Sequence, residues 1–429
     1  MGSGERDLPI VVPKATRDEP SSMSARSAAS VRTPTPRTLV RESFDGPRPS
    51  FSRALWRIAN ARVSAGNKVA LLRDGPETFE AMLAMIEGAH QSIEFEGYIF
   101  HNDDVGKRFA DAFRNAARRG VKVRMLVDWV GRWPTPKKFF EDIHREGVGM
   151  RFFNPLGFRA WGGLLPRDHR KVLVVDQYAS VTGGIGIGQE WGYGLIRRRR
   201  HSVWRDTALR MEGDASTYMR EAFERMWARA RGRTPEWHAL RAPSVAAETH
   251  LSGRFDPPAL VGIIEGEPGR WRLSRALQLQ AVAAERSIWI ASAYFMPSWS
   301  ELEALAGAAR DGVDVRVLVP SKYDHPFLRR FATRFYHRLL RSGVRLWEWR
   351  GEMMHAKTTV IDGRWVRVGS TDFNPLGVAI NYELDALIED RTLGEQAEQM
   401  FLEDLQHSRE IGRYSAATSP ASLETTSLP

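Results

Sequence analysis

Ala116-Ala117-Arg118-Arg119-Gly120-Val121-Lys122-Val123-Arg124-Met125-Leu126-Val127 recurs as Ala308-Ala309-Arg310-Asp311-Gly312-Val313-Asp314-Val315-Arg316-Val317-Leu318-Val319. Each copy ends a helix, places glycine where a C-cap is expected, and opens a β-branched strand. Ser92-Ile93-Glu94-Phe95-Glu96-Gly97-Tyr98-Ile99-Phe100 precedes the first copy, and Ser287-Ile288-Trp289-Ile290-Ala291-Ser292-Ala293-Tyr294-Phe295 precedes the second. Glu146-Gly147-Val148 and Ser342-Gly343-Val344 follow in the same order. The intervening helices carry apolar residues at helical spacing, Phe109, Phe113 and Ala116 in one and Leu302, Leu305 and Ala309 in the other. Each unit reads strand, helix, glycine, strand, helix, glycine, strand. Strands alternating with helices predict a mainly buried α/β sheet, and two such units in one chain predict an internal pseudo-dimer.

Further along each unit lies a chemical signature. His169-Arg170-Lys171-Val172-Leu173-Val174-Val175-Asp176 matches His355-Ala356-Lys357-Thr358-Thr359-Val360-Ile361-Asp362, both H-x-K-x-x-x-x-D. Glycine follows seven residues after each aspartate, in Gly183-Gly184 and Gly369-Ser370. On a strand, His and Lys two residues apart project to one face. A neutral imidazole is a nucleophile and a protonated one an acid, while an ammonium neutralises a phosphate oxygen. Two such pairs across a pseudo-two-fold axis would surround one phosphodiester with two His and two Lys, and that chemistry needs no metal or other cofactor. The six catalytic-motif residues are thus His169, Lys171, Asp176, His355, Lys357 and Asp362. The two aspartates have the opposite parity to their histidines and are expected to act through structural hydrogen bonds.

Composition narrows the partners. The 429 residues include 62 Lys and Arg against 52 Asp and Glu, a net charge of +10. That surplus suits a polyanion, either an anionic membrane surface or nucleic acid. No groove-reading motif is present and aromatic residues do not interleave with the basic runs, so nucleic acid is the weaker reading. Cysteine is absent, which excludes disulfides, thiolate catalysis and Cys-ligated metal sites. No run of about 18 apolar residues occurs, and no signal-peptide core. The chain is expected to be cytoplasmic, peripheral on the inner face of the cell membrane.

The division expected along the chain is a disordered basic tail over 1–50, a first half over 51–232, a linker over 233–258, a second half over 259–412, and a disordered tail over 413–429. Phe158, Trp161, Leu164 and Leu165, flanked by Arg159 and Arg167, are membrane-contact candidates, with a loop covering the core as the plainer reading. Arg197-Arg198-Arg199-Arg200-His201 reads as a headgroup contact or a solvated loop. Phe327 to Arg341 reads as an amphipathic helix that serves the core.

The duplicated motif resembles the phospholipase D superfamily, and within it the chain is similar to the bacterial cardiolipin synthases. The likeness runs from about Val69 to Asp390. It includes Tyr98-Ile99-Phe100, Trp204-Arg205-Asp206-Thr207, Arg210-Met211-Glu212-Gly213, Tyr294-Phe295-Met296-Pro297, Asp324-His325-Pro326 and Asn381-Tyr382-Glu383. The resemblance implies two phospholipase D-like α/β sandwich halves with one site between them. It implies a ping-pong transfer in which a phosphatidyl group passes through a phosphohistidine onto phosphatidylglycerol, giving cardiolipin and glycerol. Phosphatidylglycerol, or phosphatidylethanolamine, would be the donor. The family order makes His169 the nucleophile and His355 the acid and base, although the two copies are chemically equivalent. Asp206 and Glu383 would orient the histidines, with packing as their alternative role. Ser370 and Asn374 complete the supporting set. The family often places an Asn amide three residues after the post-motif glycine; here Gly186 and Asp372 stand there, and Asn374 is the candidate substitute. A hydrolytic phospholipase D or phosphodiesterase, and a weakly catalytic lipid- or nucleic-acid-binding protein, are the rival readings.

Overall fold

A computed structural model describes residues 49–155, 166–192, 203–230, 259–324 and 326–412. The candidates Phe158, Trp161, Leu164 and Leu165, the basic run 197–201, the expected linker and nearly all of both expected tails lie outside the described residues.

The first half runs β1 (Arg62–Arg73), α2 (Asp74–Glu87), β2 (Ser92–Gly97), α3 (Asp104–Arg118), β3 (Lys122–Asp128), α4 (Lys137–Arg145), β4 (Gly149–Phe153), β5 (Val172–Val175), β6 (Ala179–Gly183), β7 (Thr207–Glu212) and α5 (Asp214–Arg229). The second runs β8 (Ala259–Gly266), α6 (Arg272–Ala283), β9 (Ser287–Ser292), α7 (Trp299–Arg310), β10 (Asp314–Pro320), α8 (Pro326–Arg341), β11 (Arg345–Trp349), β12 (Lys357–Ile361), β13 (Trp365–Gly369), β14 (Glu383–Glu389), α9 (Arg391–Gln406) and β15 (Ser408–Ile411). A helix α1 (Pro49–Ala59) comes before both. The strand-helix-glycine order expected from sequence holds in each half. Gly120 and Gly312 adopt left-handed φ values of 89° and 94° just after their helices, where a side chain would be strained. Asp103 caps α3, and Ser298 with Glu301 forms a capping box on α7.

All the strands join one mixed sheet, in the order β15-β11-β10-β9-β12-β13-β14-β8-β1-β7-β6-β5-β2-β3-β4. Reading outward from the β8–β1 seam, both halves repeat the same order, and β15 extends the second. The seam is antiparallel, with Val63 opposite Gly262, and it shifts register between Ser64 and Asn67. Buried Asn67 stitches that irregularity. Its amide donates to Ser64 O at 3.0 Å and Ala259 O at 3.4 Å, and its oxygen accepts from Ala215 N at 2.9 Å.

Helices cover both faces. Beneath α2, α3 and α4 lies one core, including Phe79, Phe109, Phe113 and Leu173; its counterpart in the second half includes Leu302, Leu305, Leu339 and Ile361. On the opposite face α5 and α9 close a core drawn from both halves, with Val69, Leu209, Met219, Val261, Val360 and Ala397. Each such fully buried side chain removes apolar area worth about 1.5–3 kcal/mol, so this shared core binds the halves together. Tyr336, Leu339 and Leu340 of α8 are buried, in keeping with a core helix. Helix α1 crosses over: Leu55 and Ala59 join the second half's core, and Trp56 packs on Trp365 at 5.4 Å. A cut at residue 51 would have placed this helix with the first half.

Candidate active site

The two motif strands sit at equivalent places in the sheet, β5 beside β2 and β12 beside β9. Leu173 and Val175 share the parity of His169 and Lys171 and fill the core under α2 and α3, whereas Val172 and Val174 face the shared core. The strand is thus anchored on both faces. His169 and Lys171 emerge where it begins, at the carboxyl end of parallel β2 and β3. His355 and Lys357 emerge in the same way from β12.

The loops carrying the histidines are held by the opposite half. His169 N donates to Tyr382 O at 2.9 Å, and His355 N donates to Arg205 O at 2.7 Å. The side chains follow the same crossing. His169 Nδ1 lies 3.0 and 3.1 Å from the two carboxylate oxygens of Glu383, and His355 Nδ1 lies 2.8 Å from Asp206 Oδ2. Each histidine is therefore oriented by a carboxyl group from the other half, which engages Nδ1 and leaves Nε2 at the opposite edge of the ring. Arg205 fixes one crossing. Its guanidinium is buried between Asp404 (2.8 Å) and Asp74 (3.2 Å), and Asp74 Oδ1 accepts from Asp206 N at 3.0 Å.

Burial sets the charges. It is the main cause holding both imidazoles well below their usual value, with their own lysines next, Lys171 for His169 and Lys357 for His355. Lys357 also depresses His169, and Lys171 depresses His355, so both motifs share one electrostatic site. Burial lowers Lys171 to about 8, against the pull of Glu383. It raises Glu383 to about 8 and Asp206 to about 6. Asp206 remains the stronger acid, because Thr207 N and Trp191 Nε1 donate to it at 2.8 and 2.9 Å and Lys357 attracts it. The lysines are held in place by carbonyls: Lys171 Nζ donates to His169 O at 2.6 Å and Lys357 Nζ to His355 O at 2.7 Å. Lys357 Nζ also reaches His355 Nε2 at 3.2 Å. Two imidazoles, two lysine ammonium groups and two positioning carboxyl groups form a centre in which one ring can attack phosphorus and the other, on taking up a proton, can protonate a leaving oxygen.

A family profile described as cardiolipin synthase, PLD-like domain, matches residues 82–227 and 279–405. The chain belongs to this family. It is 31 % identical over 365 residues to the cardiolipin synthase of Geobacillus kaustophilus, covering 84 % of this chain and 70 % of that one. It is 32 % identical over 358 residues to that of Listeria innocua, covering 82 % and 71 %. In fold it is similar to the crystal structure of phosphatidylserine synthase from Haemophilus influenzae, with a TM-score of 0.63 at 14 % identity over 84 % of this chain and 92 % of that one.

Against the pattern expected of this cardiolipin synthase-like family, the supporting residues divide. Ser370 donates to Glu383, and its Oγ accepts from Leu384 N at 3.0 Å. Gly184 stands in the corresponding place in the first half. A Cβ there would come within 2.2 Å of Asp206 Oδ1, so only glycine leaves room for that carboxylate. Asp372 lies 3.4 Å from Lys357 Nζ, which answers how an acid can stand where an amide is usual: it is paired. Asn374 does not replace the amide. Its oxygen accepts from Gly377 N at 2.9 Å and its nitrogen donates to Tyr294 O at 3.3 Å, so it caps a local π turn. At Gly186 the indole of Trp191 fills the space, 3.0 Å from where a Cβ would sit. Arg167, expected beside lipid, is buried and lies 3.5 Å from Asp128.

The motif aspartates lie away from the histidines. Asp176 accepts from His90 N, Gln91 N and Ser92 N, and Asp362 accepts from Glu285 N, Arg286 N and Ser287 N. Both adopt positive φ, which Asp tolerates, and both tie the motif hairpin to the start of the neighbouring strand.

Several site residues had no assigned role in the sequence reading. Tyr98 meets the His169 ring edge-on at 5.0 Å, and Tyr294 meets His355 at 6.2 Å. Their matching places in the repeat were the available signal. Trp191 and Trp204 wall His355 at 5.3 and 5.5 Å. Outside the histidine pair, His101, Asp103 and Glu190 form a metal-competent trio among the described residues. Both Asp103 oxygens already accept backbone N–H groups, from Gly106 and Gln189.

Proposed function

We propose that the protein is a phosphatidyltransferase that makes cardiolipin from phosphatidylglycerol. The observation that carries this reading is the crossed pair of carboxylate-oriented histidines, each beside a lysine. His169 Nε2 attacks phosphorus of the donor, forming a P–N bond as the P–O bond to the headgroup breaks. With the anionic phosphodiester bound, His355 takes up a proton at Nε2 and gives it to the departing alkoxide, and glycerol leaves. Neutral His355 then takes the proton from a headgroup hydroxyl of a second phosphatidylglycerol. That oxygen attacks phosphorus, the P–N bond breaks, and cardiolipin leaves with His169 restored. Lys171 and Lys357 hold the non-bridging phosphate oxygens as charge builds on them. Such positioned proton transfer contributes about 10²–10⁴-fold. Phosphatidylethanolamine is an alternative donor under the same chemistry, and the inner face of the cell membrane is where the substrate would be met. Among the described residues no helix is long and apolar enough to cross a membrane.

The test is product analysis by mass spectrometry with phosphatidylglycerol vesicles. Cardiolipin with glycerol is expected, and His169→Ala should abolish both. Phosphatidic acid in place of cardiolipin would mean that water resolves the intermediate. A donor with a nitrophenol leaving group separates the histidines: His355→Ala should keep its burst of nitrophenol, whereas His169→Ala should lose it.

A further inference from the structure

Among the described residues eight large apolar side chains are exposed, and half of them gather at one end of the sheet. Trp133 follows β3, Trp271 follows β8, Trp299 follows the β9 connection, and Leu376 lies between β13 and β14. The register fixes which end this is. Glu96 pairs with Val172, Ser292 with Lys357, and Gly266 with Glu383, so these connections leave the sheet beside the histidines. Trp133 and Trp299 are 68 % and 64 % exposed. Single exposed apolar residues are ordinary, but four on separate connections from both halves, all at the histidine end of the sheet, give that end an apolar rim.

Two of these residues sit in constrained surroundings. The Arg338 guanidinium stacks 3.7 Å from the Trp299 ring centroid. Trp271 takes a left-handed φ of 51°, a strained conformation for a bulky residue and one the fold must support. The same end carries exposed cations. Lys137, Lys138, Arg270, Lys322, Arg329 and Arg350 are exposed on or beside these connections, and all but Arg350 also pair with a nearby acid, Glu141, Asp142, Glu267, Glu352 and Glu348 in turn.

We propose that Trp133, Trp271, Trp299 and Leu376 are interfacial anchors that seat the mouth of the site on an anionic bilayer. Indole rings settle at headgroup depth, and flanking cations draw the protein to anionic lipid. A lipid's phosphodiester lies at that same depth, so a rim immersed by about 5–10 Å brings phosphorus to the histidines without extracting the lipid. The nature of the occupant rests on the phosphatidyl-transfer reading; the location rests on the exposed side chains alone.

The chain lacks cysteine, so single labels are simple to place. Trp133→Cys, Trp299→Cys and Leu376→Cys, each carrying an environment-sensitive dye, are mixed with vesicles of phosphatidylglycerol and phosphatidylcholine. Tyr178→Cys and Val282→Cys, exposed on the β5–β6 turn and late in α6, are the controls. The rim labels should shift to the blue and be quenched by nitroxide lipids, less so at high salt, while the controls stay unchanged. Equal response at the controls, or none at the rim, overturns the proposal. A rim response to protein concentration without vesicles also overturns it, marking a contact between copies. Trp133→Ser with Trp299→Ser should lower vesicle partitioning at least about tenfold, with an unchanged melting temperature; partitioning equal to that of the parent chain sinks the idea. None of these readouts requires turnover. Insertion by a protein that makes no cardiolipin would retire the functional reading and leave the anchors standing.

Discussion

His169 Nδ1 lies 3.0 Å from Oε1 of Glu383, a residue 214 positions away in the other half of the chain. The mirrored contact joins His355 to Asp206. Glu383→Gln should therefore move the imidazole ¹⁵N signals of His169 and leave those of His355 in place, and Asp206→Asn should do the reverse. Both should lower kcat by on the order of 10²-fold or more. Histidine-selective NMR with steady-state kinetics checks the pairing. If each carboxylate perturbed the histidine of its own half, the crossed arrangement would be wrong.

A bell-shaped pH profile is expected for kcat/KM. Burial raises Asp206 to about 6, so below that pH it gains a proton and no longer supports the proton that His355 must carry at Nε2. Activity should rise through pH ~6. Lys171, lowered to about 8, loses its ammonium charge above that pH, so activity should fall there; Glu383, raised to about 8, titrates with it as a pair and below that pH still accepts from His169 Nδ1 through its neutral carboxyl group. Trp191→Phe removes one donor to the Asp206 carboxylate, so the acid limb should move to higher pH while the alkaline limb stays.

Asp372 is paired with Lys357, and under the proposed mechanism it would compete with the phosphodiester for that ammonium. It also raises both histidines toward the protonated form. Asp372→Asn should release the ammonium to the phosphodiester and lower KM by about threefold to tenfold, equivalent to roughly 1 kcal/mol. KM measured on mixed vesicles at fixed surface charge tests this; a higher KM would show that Asp372 binds substrate rather than opposing it.

Asp176→Ala and Asp362→Ala should act on stability. Each removes the acceptor of three backbone N–H groups at the start of a central strand. A loss of about 2–4 kcal/mol in unfolding free energy is expected. Denaturant titration should show it, and the pH–rate profile of the remaining folded protein should keep its limbs.

The pseudo-dimer and its two motifs were legible because duplication prints the same strand and glycine spacing twice. The parity argument also separated Asp176 and Asp362 from the histidines. Pairing was not legible. Asp206 and Glu383 occupy equivalent places, and sequence spacing is silent about which half a side chain reaches into once the two stand face to face. Asn374 misled for a related reason: an amide near a phosphate site looks available until Gly377 and Tyr294 are seen to use both its ends. The Trp191 indole, which both donates to Asp206 and fills the space beside Gly186, is a three-dimensional coincidence with no local pattern.

The two carboxylates reach their histidines through unlike surroundings, Asp206 beside Gly184 and Trp191, Glu383 beside Ser370. A homodimer encoded by one copy of the motif could not be built this way, since every substitution in it would be made at both ends of the axis. Joining two copies in a single polypeptide lifts that constraint. Each half can be revised alone, so that one imidazole can come to meet surroundings its twin does not share. The asymmetry around Gly184 and Ser370 is that freedom written into the chain.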